Sequence, residues 1–191
     1  MMMNRFSEEV FNSQQFTETT LQKGKYINCE FKNCSFLSSN LLDIEFLECV
    51  FTDCDLSLCA IGNTAFKDVQ FISCKLLGIN FNECNQFLLS ISFQSCNLSN
   101  ASFYRLPLQS TSFDSCQLIA TDFSECDLHL ADFSDCNLDQ ATFDNTNLEQ
   151  ADFSTAIGYT IDPEHNKIKK ALFSRTSIEG LLNKYQITIT D

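Results

Sequence analysis

The chain has 191 residues, of which 12 are Lys or Arg and 25 are Asp or Glu, for a net charge of −13. That balance argues against a protein that grips nucleic-acid phosphates through Lys and Arg, and an apolar content of 44% excludes a disordered chain. No run of about 18 apolar residues could span a membrane, and residues 1–10 lack the apolar core of a secretory signal, so one cytoplasmic domain is expected.

From Phe11 an apolar residue recurs at every fifth position: Phe11, Phe16, Leu21, Tyr26, Phe31, Phe36, Leu41, Phe46, and onward to Phe81. The frame slips by two residues in 82–87, resumes at Leu88, and runs through Phe93, Leu98 and Phe103 to Phe153. A helix needs a period of 3.6 and a strand a period of 2, so neither simple template fits. Two residues before nearly all of these centres stands a second, small or apolar residue, and all 11 cysteines fall in this phase. In extended chain those two side chains point the same way and the residue between them points out. The last two residues of each five are mostly polar, as in Asp114-Ser115 and Ser134-Asp135, and turn a corner.

The finer spacing gives the number of sides. Cys34, Cys54 and Cys74, then Cys96, Cys116 and Cys136, recur every twenty residues, so four sides of five stack like upon like. The expected fold is an all-β, four-sided parallel solenoid of about seven coils over 12–155, roughly 34 Å long at ~4.8 Å per coil. Pro107 stands at an outward position where a missing N–H predicts a local gap in the ladder. The periodicity ends after Ala156, which divides the chain into a repeat region, 1–157, and a tail, 158–191. In the tail, Asp162-Pro163 signals a turn, Ser174 can cap a helix over 175–185, and 186–190 alternates as a strand would.

Ala131-Asp132-Phe133-Ser134-Asp135 and Ala151-Asp152-Phe153-Ser154-Thr155 resemble the motif of the pentapeptide-repeat family. The resemblance implies a right-handed quadrilateral β-helix, and the chain departs from the motif in using Cys where Ala is usual. The tail segment Leu181-Leu182-Asn183-Lys184-Tyr185-Gln186-Ile187-Thr188-Ile189 is similar to the ends of dimeric members, among them quinolone-resistance and microcin-immunity proteins. This second resemblance implies a homodimer joined through Ile178, Leu181, Leu182, Tyr185, Ile187 and Ile189, and DNA gyrase or another type II topoisomerase as partner.

No catalytic constellation, phosphate loop or paired Cys-x2-Cys metal motif is present, so neither an enzyme, a cofactor nor a metal is expected. Charge is the informative feature. Residues 106–166 contain no Lys or Arg and 12 acids. Ten of them, Asp114, Asp122, Glu125, Asp127, Asp132, Asp135, Asp139, Asp144, Glu149 and Asp152, fall within about 2.5 coils, or roughly one charge per 1.2 Å of axis. Duplex DNA carries one per about 1.7 Å. Two readings follow: a DNA mimic that binds a type II topoisomerase and modulates its inhibitors, or a scaffold for another protein.

Overall fold

A computed structural model of the chain describes residues 4–17, 20–188 and 190. It is a parallel β-solenoid of about eight turns. Short strands such as Glu30–Lys32, Val50–Thr52, Val69–Ile72 and Ile91–Gln94 pair in parallel, with Phe31 beside Phe51 and Phe71 beside Phe93. The register is twenty residues before the slip and twenty after it. Each face is named here for one of its centres: Phe31, Phe36, Leu41 and Phe46.

The corners explain the two polar residues. The second residue of nearly every corner adopts a left-handed backbone, among them Asn33, Asp43, Asp53, Asn63, Asp135 and Asn145. Asn and Asp tolerate this conformation better than other side chains with a Cβ. Leu58, Ala120 and Leu130 also adopt it, which shows the fold overriding local preference.

Two columns of rings fill the interior. On the Phe31 face, Phe11, Phe31 and Phe51 stack at 4.7 and 4.6 Å, and the column continues to Phe173. On the Leu41 face, Phe81, Phe103 and Phe123 stack at 4.8 and 5.2 Å. The columns meet edge to face, with Phe103 against Phe113 at 5.6 Å and 83°, the geometry that aromatic quadrupoles favour. Up to Phe66 the Phe46 face carries rings (Tyr26, Phe46, Phe66) and the Leu41 face aliphatic centres (Leu41, Ile61); from Phe81 onward the Leu41 face carries the rings and the Phe46 face carries Leu108, Leu128 and Leu148. Core volume is thus held steady along the axis.

All 11 cysteines are free and buried. Most donate a thiol hydrogen to the carbonyl of a centre one coil back: Cys54 to Phe31 at 3.3 Å, Cys59 to Phe36 at 2.9 Å, Cys126 to Phe103 at 2.8 Å. The hydroxyls of Thr64, Thr121 and Thr146 fill the same slot, donating to Leu41, Leu98 and Phe123. Cys therefore supplies a compact buried donor that Ala lacks, which accounts for the departure from the family motif.

The structure corrects several expectations. The two extra residues lie in 86–90 rather than 82–87, because Asn85 still pairs with Ala65. Leu88 is no inward centre: it is 65% exposed with φ +58°, Phe87 is 69% exposed, and Leu89 packs on the core instead. Pro107 bears out the expected gap on one side only: it pairs with Asp127, whose N–H donates to Leu106 at 3.0 Å, and among the described residues no bridge joins it to the preceding coil. The missing N–H faces the coil that carries the insertion. The solenoid also starts earlier, at Asn4–Ser7, and outlasts residue 157, since Asn147 pairs with Lys167 and Phe153 with Phe173. Ile168 and Phe173 keep the five-residue phase, but Tyr159 and Ile161 replace two intervening centres and hide the continuity.

The predicted tail helix is two 3-10 segments, Arg175–Leu181 and Asn183–Tyr185, the first capped by the Ser174 hydroxyl accepting from the Thr176 N–H. Residues 186–188 and 190 form no strand, and Ile189 lies outside the described residues. Gly180 lies directly against Tyr159, where a Cβ would come within 2.3 Å of its carbonyl oxygen. That contact draws the tail across the last coil.

Burial pushes the thiols of Cys49, Cys59, Cys84 and Cys126 up to about 12, far from the reactive range. Native protein should therefore react slowly with an aromatic disulfide reagent at neutral pH. All 11 thiols should react after denaturation without reductant; a shortfall restored by reductant would reveal bridges.

Candidate functional site: an acidic band around the rod

The ten acids of the band come from three kinds of position. Asp122, Asp127, Asp132 and Asp152 stand at the outward middle of a side. Asp114, Asp139, Asp144 and Glu149 open a corner, and Glu125 and Asp135 occupy its left-handed second residue. The structure gathers them along a short length of axis but spreads them over all four faces. Asp132 and Asp152 share the Phe31 face, Asp122 lies on the Leu41 face, and Asp127 lies on the Phe46 face.

Side-middle acids also shape the backbone. The Ser124 N–H donates to Asp122 Oδ1 at 2.9 Å, Ser134 to Asp132 at 2.9 Å and Ser154 to Asp152 at 2.8 Å. These are Asx turns that pin the corner. Asn97, Asn137 and Asn147 accept the same bond from Ser99, Asp139 and Glu149. The turn requires the carbonyl-type oxygen and not the charge, so charge at these positions needs another explanation.

The first half and the band differ in whether Lys and Arg are present at all, not in how many acids are paired: Glu8, Glu9, Glu48, Asp53, Asp55, Asp68 and Glu83 of the first half also have no cationic partner among the described residues. In the first half, Lys23 pairs with Asp43 at 2.9 Å, Lys25 and Lys67 both reach Glu45 at 2.9 Å, and Lys32 pairs with Glu30. Lys67, and then Lys25, hold the Glu45 carboxyl below its ordinary range. Within the band, only Glu125 has such a partner among the described residues. Arg105 Nε donates to it at 2.6 Å and the Tyr104 hydroxyl at 2.9 Å, and these bonds lower its pKa. Arg105 lies one residue outside the Lys- and Arg-free stretch but exactly one coil from Glu125, so the twenty-residue spacing carried that signal. Lys184 reaches Asp162 at 2.6 Å and Glu164 at 2.8 Å, bridging the two acids beyond the band; no periodicity announces that pairing. Asp114, Asp122, Asp127, Asp132, Asp135, Asp139, Asp144, Glu149 and Asp152 have no cationic partner among the described residues.

Of the tail residues expected at a dimer interface, Leu181 is 9% exposed and packs on the chain's own core, and Leu182 is half-buried. Ile178, Tyr185 and Ile187 are exposed, as is Leu172 of the last coil. Among the described residues no His, Cys, Asp and Glu cluster could hold a metal ion, and no helix is long and apolar enough to cross a membrane.

Replacing Asp122, Asp127, Asp132 and Asp152 together with Asn should leave the melting temperature within a few degrees of wild type, because the Asx bonds persist. The matching Ala variant should melt much lower, at about 0.5–1.5 kcal/mol per lost bond. Equal stability of the two variants would remove the Asx bonds from the account of the corners.

A family model described as a pentapeptide repeat region matches residues 25–103 and 87–181. No curated protein matches by sequence. Among solved structures, the chain is similar to full-length QnrB1, a plasmid-mediated fluoroquinolone resistance protein, at 14% identity and a TM-score of 0.59, covering 96% of this chain and 100% of that one. It is similar also to HetL, a pentapeptide repeat protein involved in heterocyst differentiation regulation from the cyanobacterium Nostoc sp. strain PCC 7120, at 17% identity and a TM-score of 0.63, covering 89% and 86%. At these identities the likeness concerns the fold.

Proposed function

We propose that this chain, which belongs to the pentapeptide-repeat family, is a non-catalytic, DNA-mimicking rod that binds the basic DNA-binding surface of a type II topoisomerase such as DNA gyrase and modulates its inhibition by quinolones. The observation that carries the reading is the stretch 106–166, which has no Lys or Arg and in which nine of the ten band acids have no cationic partner among the described residues. Fixed carboxylates on a rigid rod are preorganised for a cationic groove, so association gains long-range steering. The choice of gyrase comes from the family resemblance and accords with the fluoroquinolone resistance named for QnrB1.

Gyrase supercoiling, titrated with this protein with and without ciprofloxacin, tests the reading. Inhibition at high dose or rescue of the drug-treated enzyme is expected. The Asn variant of Asp122, Asp127, Asp132 and Asp152 should bind more weakly and with a flatter salt dependence. No effect at tens of micromolar would transfer the protein to the scaffold reading.

The same proposal includes a homodimer joined at the C-terminal end of the rod, where Leu172, Ile178, Tyr185 and Ile187 leave apolar surface exposed. Two rods joined there would place both acidic bands near the centre of the particle. Light scattering should give about twice the 21.7 kDa chain mass, and Ile178→Glu with Ile187→Glu should yield a folded monomer, since unpaired charge is costly to bury. A wild-type monomer at high concentration would overturn the dimer.

A further inference from the structure

A depression crosses the Phe31 face where the acidic band begins. The outward residues of this face run Glu30, Val50, Gln70, Ser92, Ser112, Asp132 and Asp152. Ser92 and Ser112 are the smallest, and the surface sinks over them. Two contiguous hollows of 280 and 240 Å³ result, sharing Gln70, Ser92 and Ser112. One reaches Asp114 beside Gln94, and the other reaches Asp68 beside Ser90 and Ser110. No Lys or Arg lines either hollow. The terminal carboxylates are held in place: the Ser90 hydroxyl donates to Asp68 Oδ1 at 2.8 Å, and Gln94 Nε2 donates to Asp114 Oδ2 at 3.2 Å.

We propose that this groove binds an extended polyamine. The residues at the two ends are separated by about four strand steps along the chain direction and two coils across it, roughly 16 Å between backbone positions. Side chains reaching inward shorten that span to the length of a tri- or tetra-amine. Terminal ammonium groups would meet Asp68 and Asp114. Inner amines would donate to the Ser92 and Ser112 hydroxyls and the Gln70 carbonyl oxygen, and methylene segments would lie over the serine Cβ atoms and the strand backbone. A compact metal cation matches this arrangement poorly, because its charge could serve only one end. The inference does not depend on gyrase binding.

Calorimetric titration of the full chain with spermine at about 150 mM salt, where distant charges are screened, provides the test. One spermine per chain is expected. Ser92→Gln with Ser112→Gln fills the groove without changing charge, copying the neighbouring Gln70, and should weaken binding about tenfold. Asp68→Asn with Asp114→Asn should do the same with the groove left open. Asp139→Asn with Asp144→Asn removes equal charge elsewhere and should change affinity less than about twofold. Unaltered binding by either groove variant, equal loss in the distant control, or no binding by wild type would each overturn the proposal.

Discussion

The structure depends on one constraint: every coil must present to the next a surface that can be repeated about 4.8 Å away. Parallel stacking sets like beside like, so an inward position must hold a residue that packs on its own kind. Phenylalanine rings do this at 4.6–5.3 Å along the Phe31 face. Compact donors do it in the second inward slot, where a thiol or hydroxyl from one coil reaches a centre carbonyl of the coil before. The left-handed corner residue keeps all four sides equal in length and so keeps the columns in line.

The same stacking rule governs charge. Opposite charges twenty residues apart become neighbours, as Lys25 and Glu45 do, and like charges would become costly ladders. In the band, Asp132 above Asp152 is such a like pair. The other side-middle acids sit between neutral residues: Asp122 between Ser102 and Thr142, and Asp127 between Pro107 and Asn147. The chain thus reaches a high charge density per unit length by distributing acids around the rod. That arrangement keeps most side-middle acids from facing one another directly across the ladder.

A solenoid has no natural end, and its last coil exposes strand edges and ring faces. Here the tail closes that end through Tyr159, Ile161 and Leu181, all buried, with Gly180 allowing the approach. Closure consumes Leu181 and leaves Ile178, Tyr185 and Ile187 outside. One short segment therefore finishes the core and leaves part of its own apolar surface exposed.

By itself the sequence determined the period, the four-sided register, the inward phase of every cysteine and the position of the acidic band. Each of these follows from a residue class repeated at fixed spacing, and repetition makes local chemistry readable without knowledge of distant contacts. Only the tertiary structure decided what happens where repetition lapses. It placed the two extra residues after Asn85, turned Leu88 outward and Leu89 inward, and carried the solenoid on to Phe173 through Tyr159 and Ile161. It wound the tail as 3-10 turns with Leu181 inside. It also formed the groove over Ser92 and Ser112, bounded by Gln70 of the preceding coil. These outcomes rest on contacts between residues twenty or more apart that share no repeated pattern, and the physical reason is packing against a particular neighbour, which no local spacing encodes.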